Sequence, residues 1–545
     1  MNGRFKLQCN AITFILSCAL FFTLFLNALF IHKAWSLIAF GSLDSYVFAA
    51  TIPLVIFCAL NITFSLLCVP YLRKPIIITL LLGSAAANYF MFSYGVVIDG
   101  NMMQNAFETN AQEATALLTP RMGWWLLGLG ILPAVAICFT RIESTKPWWY
   151  MLGLRAANIL LSMMIILLIA ALFYKDYASL IRNNKSIVKM LTPSNYVSGV
   201  IEYAKHKYFT NNLPLIRIGE DAHKGPQILA QQKKTLMILV VGETARAENF
   251  SLGGYERETN PRLKQDQVIY FKNTASCGTE TAVSVPCMFS NMPRKEYDAT
   301  LASHQEGLLD IVALAGVNVL WRENDGGCKG ACDRVPHQDV TQLNLTQYCE
   351  GDVCMDDALL HNLDNYINGL KGDSVIVLHQ MGSHGPAYYR RTTPEFRKFT
   401  PTCDSNQIQD CSPQELVNTY DNSLLYTDAT LDKTIKILQQ HSDTFNTAMV
   451  YLSDHGESLG ENGMYLHGTP YLFAPSQQTH VPMLLWMSAD YEKNFAINRN
   501  CLNQMAQQAE VSQDNLFHTI LGMMNIQTKE YQPSLDILHS CHSPA

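Results

Sequence analysis

The sequence predicts two unlike folds in one chain: a membrane domain of five α-helical spans, then an extracytoplasmic α/β sandwich on a mainly parallel sheet. Three observations carry this. Five apolar stretches before residue 174 each approach the roughly 20 residues that cross a bilayer. Ten of the 15 cysteines lie in the polar remainder, an even number suited to an oxidising compartment. Beyond Lys234, short β-rich apolar runs alternate with helical spacing. The 48% hydrophobic and 16% charged content of the 545 residues therefore averages two different solvents.

The apolar stretches are 11–31, 46–72, 75–97, 122–140 and 156–174. Any one of them could be a buried core helix, but five in succession, separated by short polar loops, read as spans. The first follows Arg4 and Lys6, is too long for a signal-peptide core and has no small-residue cleavage site after it, so retention is expected. Arg4, Lys6, Arg73, Lys74, Arg141 and Lys146 fall on one side of the membrane. Asp44, Asp99, Glu108 and Glu113 fall on the other, with Lys33 and Arg121 near segment ends. By the positive-inside rule the chain starts inside and leaves its large C-terminal part outside. The expected organisation is a membrane domain over 1–174, an amphipathic interfacial linker over 175–233 and an extracytoplasmic domain over 234–545. A plain solvated linker is the open alternative for the middle segment. A net charge of −7 on a chain facing away from the cytoplasm excludes nucleic acid as a partner.

Cys9, Cys18, Cys58, Cys68 and Cys138 lie in or beside the apolar stretches and read as small buried thiols. In the polar part, close spacing suggests Cys277 with Cys287, Cys328 with Cys332, Cys349 with Cys354 and Cys403 with Cys411, leaving Cys501 with Cys541. A four-cysteine structural zinc site is the rival, although no repeated CxxC pattern supports it.

Five runs read as buried strands: "TLMILVVGE", "VNVLWREN", "SVIVLHQMG", "NTAMVYLSDHGE" and "VPMLLWMS". Ligands of such sheets bind at the carboxyl ends of strands. That rule gathers Glu243 after "MILVVG", His384 after "VIVLHQMGS", and Asp454 with His455 after "MVYLS". "SDHGESLGENGMYLHG" adds Glu457, Glu461 and His467, of which Glu461 reads as a solvated loop charge. Carboxylates and imidazoles without cysteine suit a catalytic divalent ion such as zinc. A hydroxyl brought to such an ion becomes nucleophilic near neutral pH. "SCGTETAVSVPCMFS" offers Thr279, Thr281 and Ser284 between two cysteines.

These motifs, with "VGETARAENFSLGGY", "GSHGPAYY" and the five spans, resemble bacterial phosphoethanolamine transferases that modify lipid A, over essentially the whole chain. The resemblance implies an alkaline phosphatase/sulfatase-like fold on the periplasmic face of the inner membrane. It makes Thr281 the nucleophile and Glu243, Thr281, Asp454 and His455 the ligands of one zinc ion. His384 and His467 match positions that hold the phosphoethanolamine group or a second zinc. Lys329 in "GGCKGAC" and Glu457 match further substrate positions. In "MMQNAFETNAQEATALLTP", Asn105, Thr109 and Glu113 match residues that meet a lipid head group; at i, i+4 and i+8 they share a helix face, as solvated polar residues also do.

The implied reaction moves phosphoethanolamine from phosphatidylethanolamine to Thr281 and then to a lipid A phosphate. It lowers envelope negative charge and so implies resistance to polymyxin and other cationic peptides. The implied partners are the two lipids and the membrane, and the expected state is a monomer. Transfer to a core heptose or a periplasmic glucan is the alternative. A sulfatase reading lacks the C/S-x-P/A-x-R context, and an envelope structural or metal-sensing protein predicts gaps among the ligands that this sequence does not have.

Overall fold

The computed structural model describes residues 8–109, 111–143, 146–205, 207–208, 213–350 and 353–542, with backbone alone at 111–113, 182–183 and 185–186. Contacts divide the chain into two compact units. One is Met1–Met103 with Leu118–Tyr203, and the other is Gln104–Leu117 with Ala204–Ala545.

In the first unit, Leu43–Leu67, Arg73–Tyr94, Pro120–Phe139 and Trp148–Ile181 are each long and apolar enough to cross a membrane. A fifth candidate is a pair, Ala11–Leu26 and Ala28–Ser36, bent by 54°. The bend falls at Asn27, whose buried amide donates to Phe22 O and Thr192 O, each at 3.0 Å, and accepts from Thr192 N at 2.9 Å. Its side chain thus takes one carbonyl of its own helix and both backbone groups of Thr192, inserting into the helix ladder at the bend. Asn61 bonds Ser162 at 2.8 Å and Asn158 at 3.0 Å, polar contacts between two apolar helices. The helix from Trp148 runs to Asn183, with helical dihedrals interrupted at Phe173. Helices Lys185–Val188 and Ser194–Lys205 follow, within the stretch read from sequence as a linker.

The second unit is built on seven strands: β1 Lys234–Gly242, β2 Ile269–Phe271, β3 Asn318–Glu323, β4 His337–Asp339, β5 Ser374–His379, β6 Phe445–Ser453 and β7 Met483–Met487. Their order is β2-β7-β6-β1-β5-β3-β4. All pairings are parallel except those of β7 with its two neighbours. β1, β5 and β6 read as near-continuous apolar runs because both faces are covered. On one face Met237, Leu239 and Val241 of β1 join a core with helices Leu308–Leu314 and Leu516–Met523. The 28-residue helix Pro413–Gln440 packs against β6. Pro413 starts it, and Ser412 with Glu415 forms a reciprocal cap.

The parallel register brings the ends of β1, β5, β3 and β6 to one edge. Gly242 pairs with Ser453, Val241 with His379, and His379 with Glu323. Cysteines pair as 277–287, 328–332, 349–354, 403–411 and 501–541. The five cysteines of the first unit are free.

Candidate metal and nucleophile site

Glu243 follows the last residue of β1, and Asp454 and His455 follow β6, all with fully buried side chains. Thr244, beside Glu243, holds φ at +50°, an uncommon value for a β-branched residue and a mark of local strain. Gly382 also has φ +50° and lies so near that a Cβ there would stand 2.5 Å from Glu243 O. Only glycine fits this approach.

Thr281 is the first residue of helix Thr281–Met288, where backbone N–H groups favour an incoming anion. The Cys277–Cys287 bridge ties the preceding loop to the end of this helix. Thr281 Oγ1 donates to Glu243 Oε2 at 3.1 Å and lies 3.4 Å from His455 Nε2. The neighbouring hydroxyls are engaged elsewhere: Thr279 donates to Thr469 O at 2.6 Å, and Ser284 accepts from Gly278 N at 2.9 Å.

Asp454 Oδ2 and Glu243 Oε1 stand 3.3 and 3.6 Å from His455 Nε2. His455 Nδ1 donates to Gly456 O at 2.9 Å, which turns the Nε2 lone pair toward the carboxylates. Burial, reinforced by His467, holds the His455 pKa well below its usual value, so the ring is neutral and able to ligate. Burial raises the Asp454 carboxyl, a cost that a cation would remove. Asp454 Oδ1 accepts from Thr244 N and His455 N, whereas Oδ2 receives no donor. An undonated buried carboxylate oxygen beside a second carboxylate and an imidazole nitrogen fits a divalent ion.

The His467 ring centre lies 4.4 Å from that of His455 and 5.3 Å from that of His384. Burial opposes charge on His467, yet Glu457 Oε2, 2.9 Å from Nδ1, holds its pKa up. Burial and His467 push His384 well down. Glu457 is fully buried, and its other oxygen accepts from Tyr388 at 2.5 Å, so it stands behind His467. Glu461, read from sequence as a solvated charge, pairs at 2.7 Å with the buried Arg246.

Two family models match the chain: one described as Phosphoethanolamine transferase EptA/EptB over residues 56–208, the other as Sulfatase over 235–526. Phosphoethanolamine transferase EptA of Escherichia coli (strain K12) is 53% identical over 98% of this chain and 97% of its own. The chain belongs to the phosphoethanolamine transferase family. Phosphatidylethanolamine transferase Mcr-1 of Escherichia coli is 36% identical over 96% of each chain. The solved integral membrane lipooligosaccharide phosphoethanolamine transferase A of Neisseria meningitidis superposes with a TM-score of 0.95 at 41% identity, covering 99% of this chain and all of that one.

Other residues expected at the site of this phosphoethanolamine transferase are placed unequally. Asn105 Nδ2 donates to Glu280 Oε2 at 2.6 Å, one residue before the Thr281 hydroxyl. Thr109 Oγ1 donates to Asn105 O at 2.5 Å. Glu113 lies in helix Ala111–Leu117, and its side chain is outside the described residues. Lys329 has φ +50° and donates to Gly326 O at 2.8 Å within its own loop. Sequence reasoning missed Glu280, Tyr388, Gly382 and the buried group around His379. The last ends a strand exactly as the rule applied to Glu243 requires, and that signal was available.

Proposed function

We propose that this chain transfers phosphoethanolamine from phosphatidylethanolamine to a phosphate of lipid A through a covalent phosphoethanolamine–Thr281 intermediate. The single observation that carries the reading is the Thr281 hydroxyl at a helix N-terminus, between Glu243 and His455. Glu243, Thr281, Asp454 and His455 would hold zinc, which supplies charge stabilisation to the transferring phosphoryl group and acidifies the hydroxyl. Thr281 Oγ1 attacks phosphorus, its proton passing to Glu243 Oε2 as the diacylglycerol oxygen leaves. His467, whose pKa Glu457 raises, protonates that oxygen. A lipid A phosphate then gives its proton back to His467 as its oxygen attacks the same phosphorus, and Thr281 Oγ1 leaves, recovering its proton from Glu243.

In this reading the apolar helices, counting the bent pair as one, make five spans of the bacterial inner membrane, with the domain from 234 in the periplasm. The names of the relatives and the positive-inside charge pattern support it. Capping lipid A phosphate with an amine lowers envelope negative charge and reduces polymyxin binding. Mass spectrometry of lipid A from cells with and without the protein tests the acceptor. One added phosphoethanolamine unit is expected on lipid A. The same gain confined to core sugars would overturn the assignment.

A further inference from the structure

Beside Glu243, the carboxyl edge of the sheet holds a second buried group that the transfer reaction leaves unused. His379 ends β5 and pairs in register with Glu323, which ends β3. His379 Nδ1 lies 3.0 Å from Glu323 Oε2, and Trp321 Nε1 donates to the same oxygen at 2.7 Å. Glu323 Oε1 accepts from Asp325 N at 2.7 Å, so both oxygens of Glu323 are occupied. The Trp321 ring meets the imidazole edge-on at 5.4 Å. These contacts fix the ring and turn Nε2 away from Glu323.

Nε2 has no hydrogen-bond partner, although His379 is fully buried. Asp325 Oδ2 lies 3.8 Å from it, too far for a hydrogen bond, and Asp325 Oδ1 is buried without a partner. One ligand atom each from Glu243, Asp325 and His379 lies within 4.8 Å of the others. Ligands about 2.0–2.2 Å from a shared ion stand roughly 3–4.4 Å apart. A carboxylate on the far nitrogen of a histidine is the usual support of a metal-bound imidazole. Beyond Glu243 and Asp454, which face the first ion, Glu323 and Asp325 add two buried carboxylates, and a cation beside them lowers the cost of burying that charge. A cleft of about 490 Å³, lined by Glu323, Asp325, Asp333 and Asp339 among others, reaches this group.

We propose that Glu243, Asp325 and His379 Nε2 form a second divalent-cation site, of zinc-class chemistry, that shares Glu243 with the first. It is separate from His384 and His467. Crystals of the full-length protein grown with Zn2+ and measured at the zinc absorption edge should show an anomalous peak about 2 Å from His379 Nε2. After equilibrium dialysis against Zn2+, His379→Gln and Asp325→Asn should each carry one zinc fewer than the unaltered protein. A peak at Asp454 and His455 reports on the catalytic metal independently, so the two readings fail separately. Absence of a peak at His379 Nε2, with the ring holding a proton there instead, overturns the second site, as do equal zinc contents in all three proteins.

Discussion

Gly382→Ala tests how closely the β5 loop must approach Glu243. Alanine at φ +50° costs about 1–2 kcal/mol from the left-handed backbone alone. Its Cβ would also stand 2.5 Å from Glu243 O, 3.0 Å from Glu243 N and 3.1 Å from Glu243 Cβ. Relieving that overlap costs roughly 1–3 kcal/mol more and moves the Glu243 backbone. Gly316 is the control: φ is +78° and nothing lies within 4 Å of a built Cβ, so Gly316→Ala carries the backbone cost without the collision. At roughly 2–4 °C per kcal/mol, Gly382→Ala should melt about 2–12 °C below Gly316→Ala. Its lipid A transfer should fall by about 10²-fold, the usual effect of displacing a positioned group by 1 Å. Differential scanning fluorimetry of the detergent-purified protein gives the first number and a lipid A transfer assay the second. Equal melting and activity in the two variants would refute the argument.

Thr281→Ala should abolish transfer with melting unchanged, and Thr281→Ser should retain part of it; peptide mass spectrometry without lipid A should find phosphoethanolamine on Thr281, and an adduct on Thr279 or Ser284 would contradict this. Full reduction should lower the melting temperature markedly, because in the chain-entropy model the four short-loop bridges contribute about 2–3 kcal/mol each and Cys501–Cys541, closing a longer loop, about 4 kcal/mol; an unchanged melting curve would count against it. Glu457→Gln removes the charge that holds the His467 pKa up, so the protonated ring is lost at lower pH than before. The alkaline limb of the activity profile should therefore move down in pH, and an unmoved limb would remove His467 as proton donor.

Much of the site was legible because a parallel sheet delivers its strand ends to one edge: Glu243, Asp454 and His455 each follow a near-continuous apolar run. The same rule reached past His379 to His384, five residues further on, because an imidazole inside an apolar run reads as core. Which of Thr279, Thr281 and Ser284 faces the carboxylates was legible only through the family resemblance, since the choice rests on Thr469 O and Gly278 N taking the other two. Asn105 carried only a helix-face pattern; its partner Glu280 is 175 positions away. The bend at Asn27 has neither proline nor glycine at it and depends on Thr192, far along the chain.

The segment Gln104–Leu117 belongs by its contacts to the unit that is otherwise Ala204–Ala545, and this has a consequence for biosynthesis. Asn105 leaves the ribosome 175 residues ahead of Glu280, and Ala116 leaves 290 ahead of Asn406, whose amide it accepts. At about 5–20 residues per second, the first interval alone lasts roughly 9–35 s. Until then the early segment has no finished surface to dock on, and Asn105 waits without its Glu280 contact. A fragment started at Ala204 never acquires that contact, so it reports on Thr281 without the amide that holds Glu280.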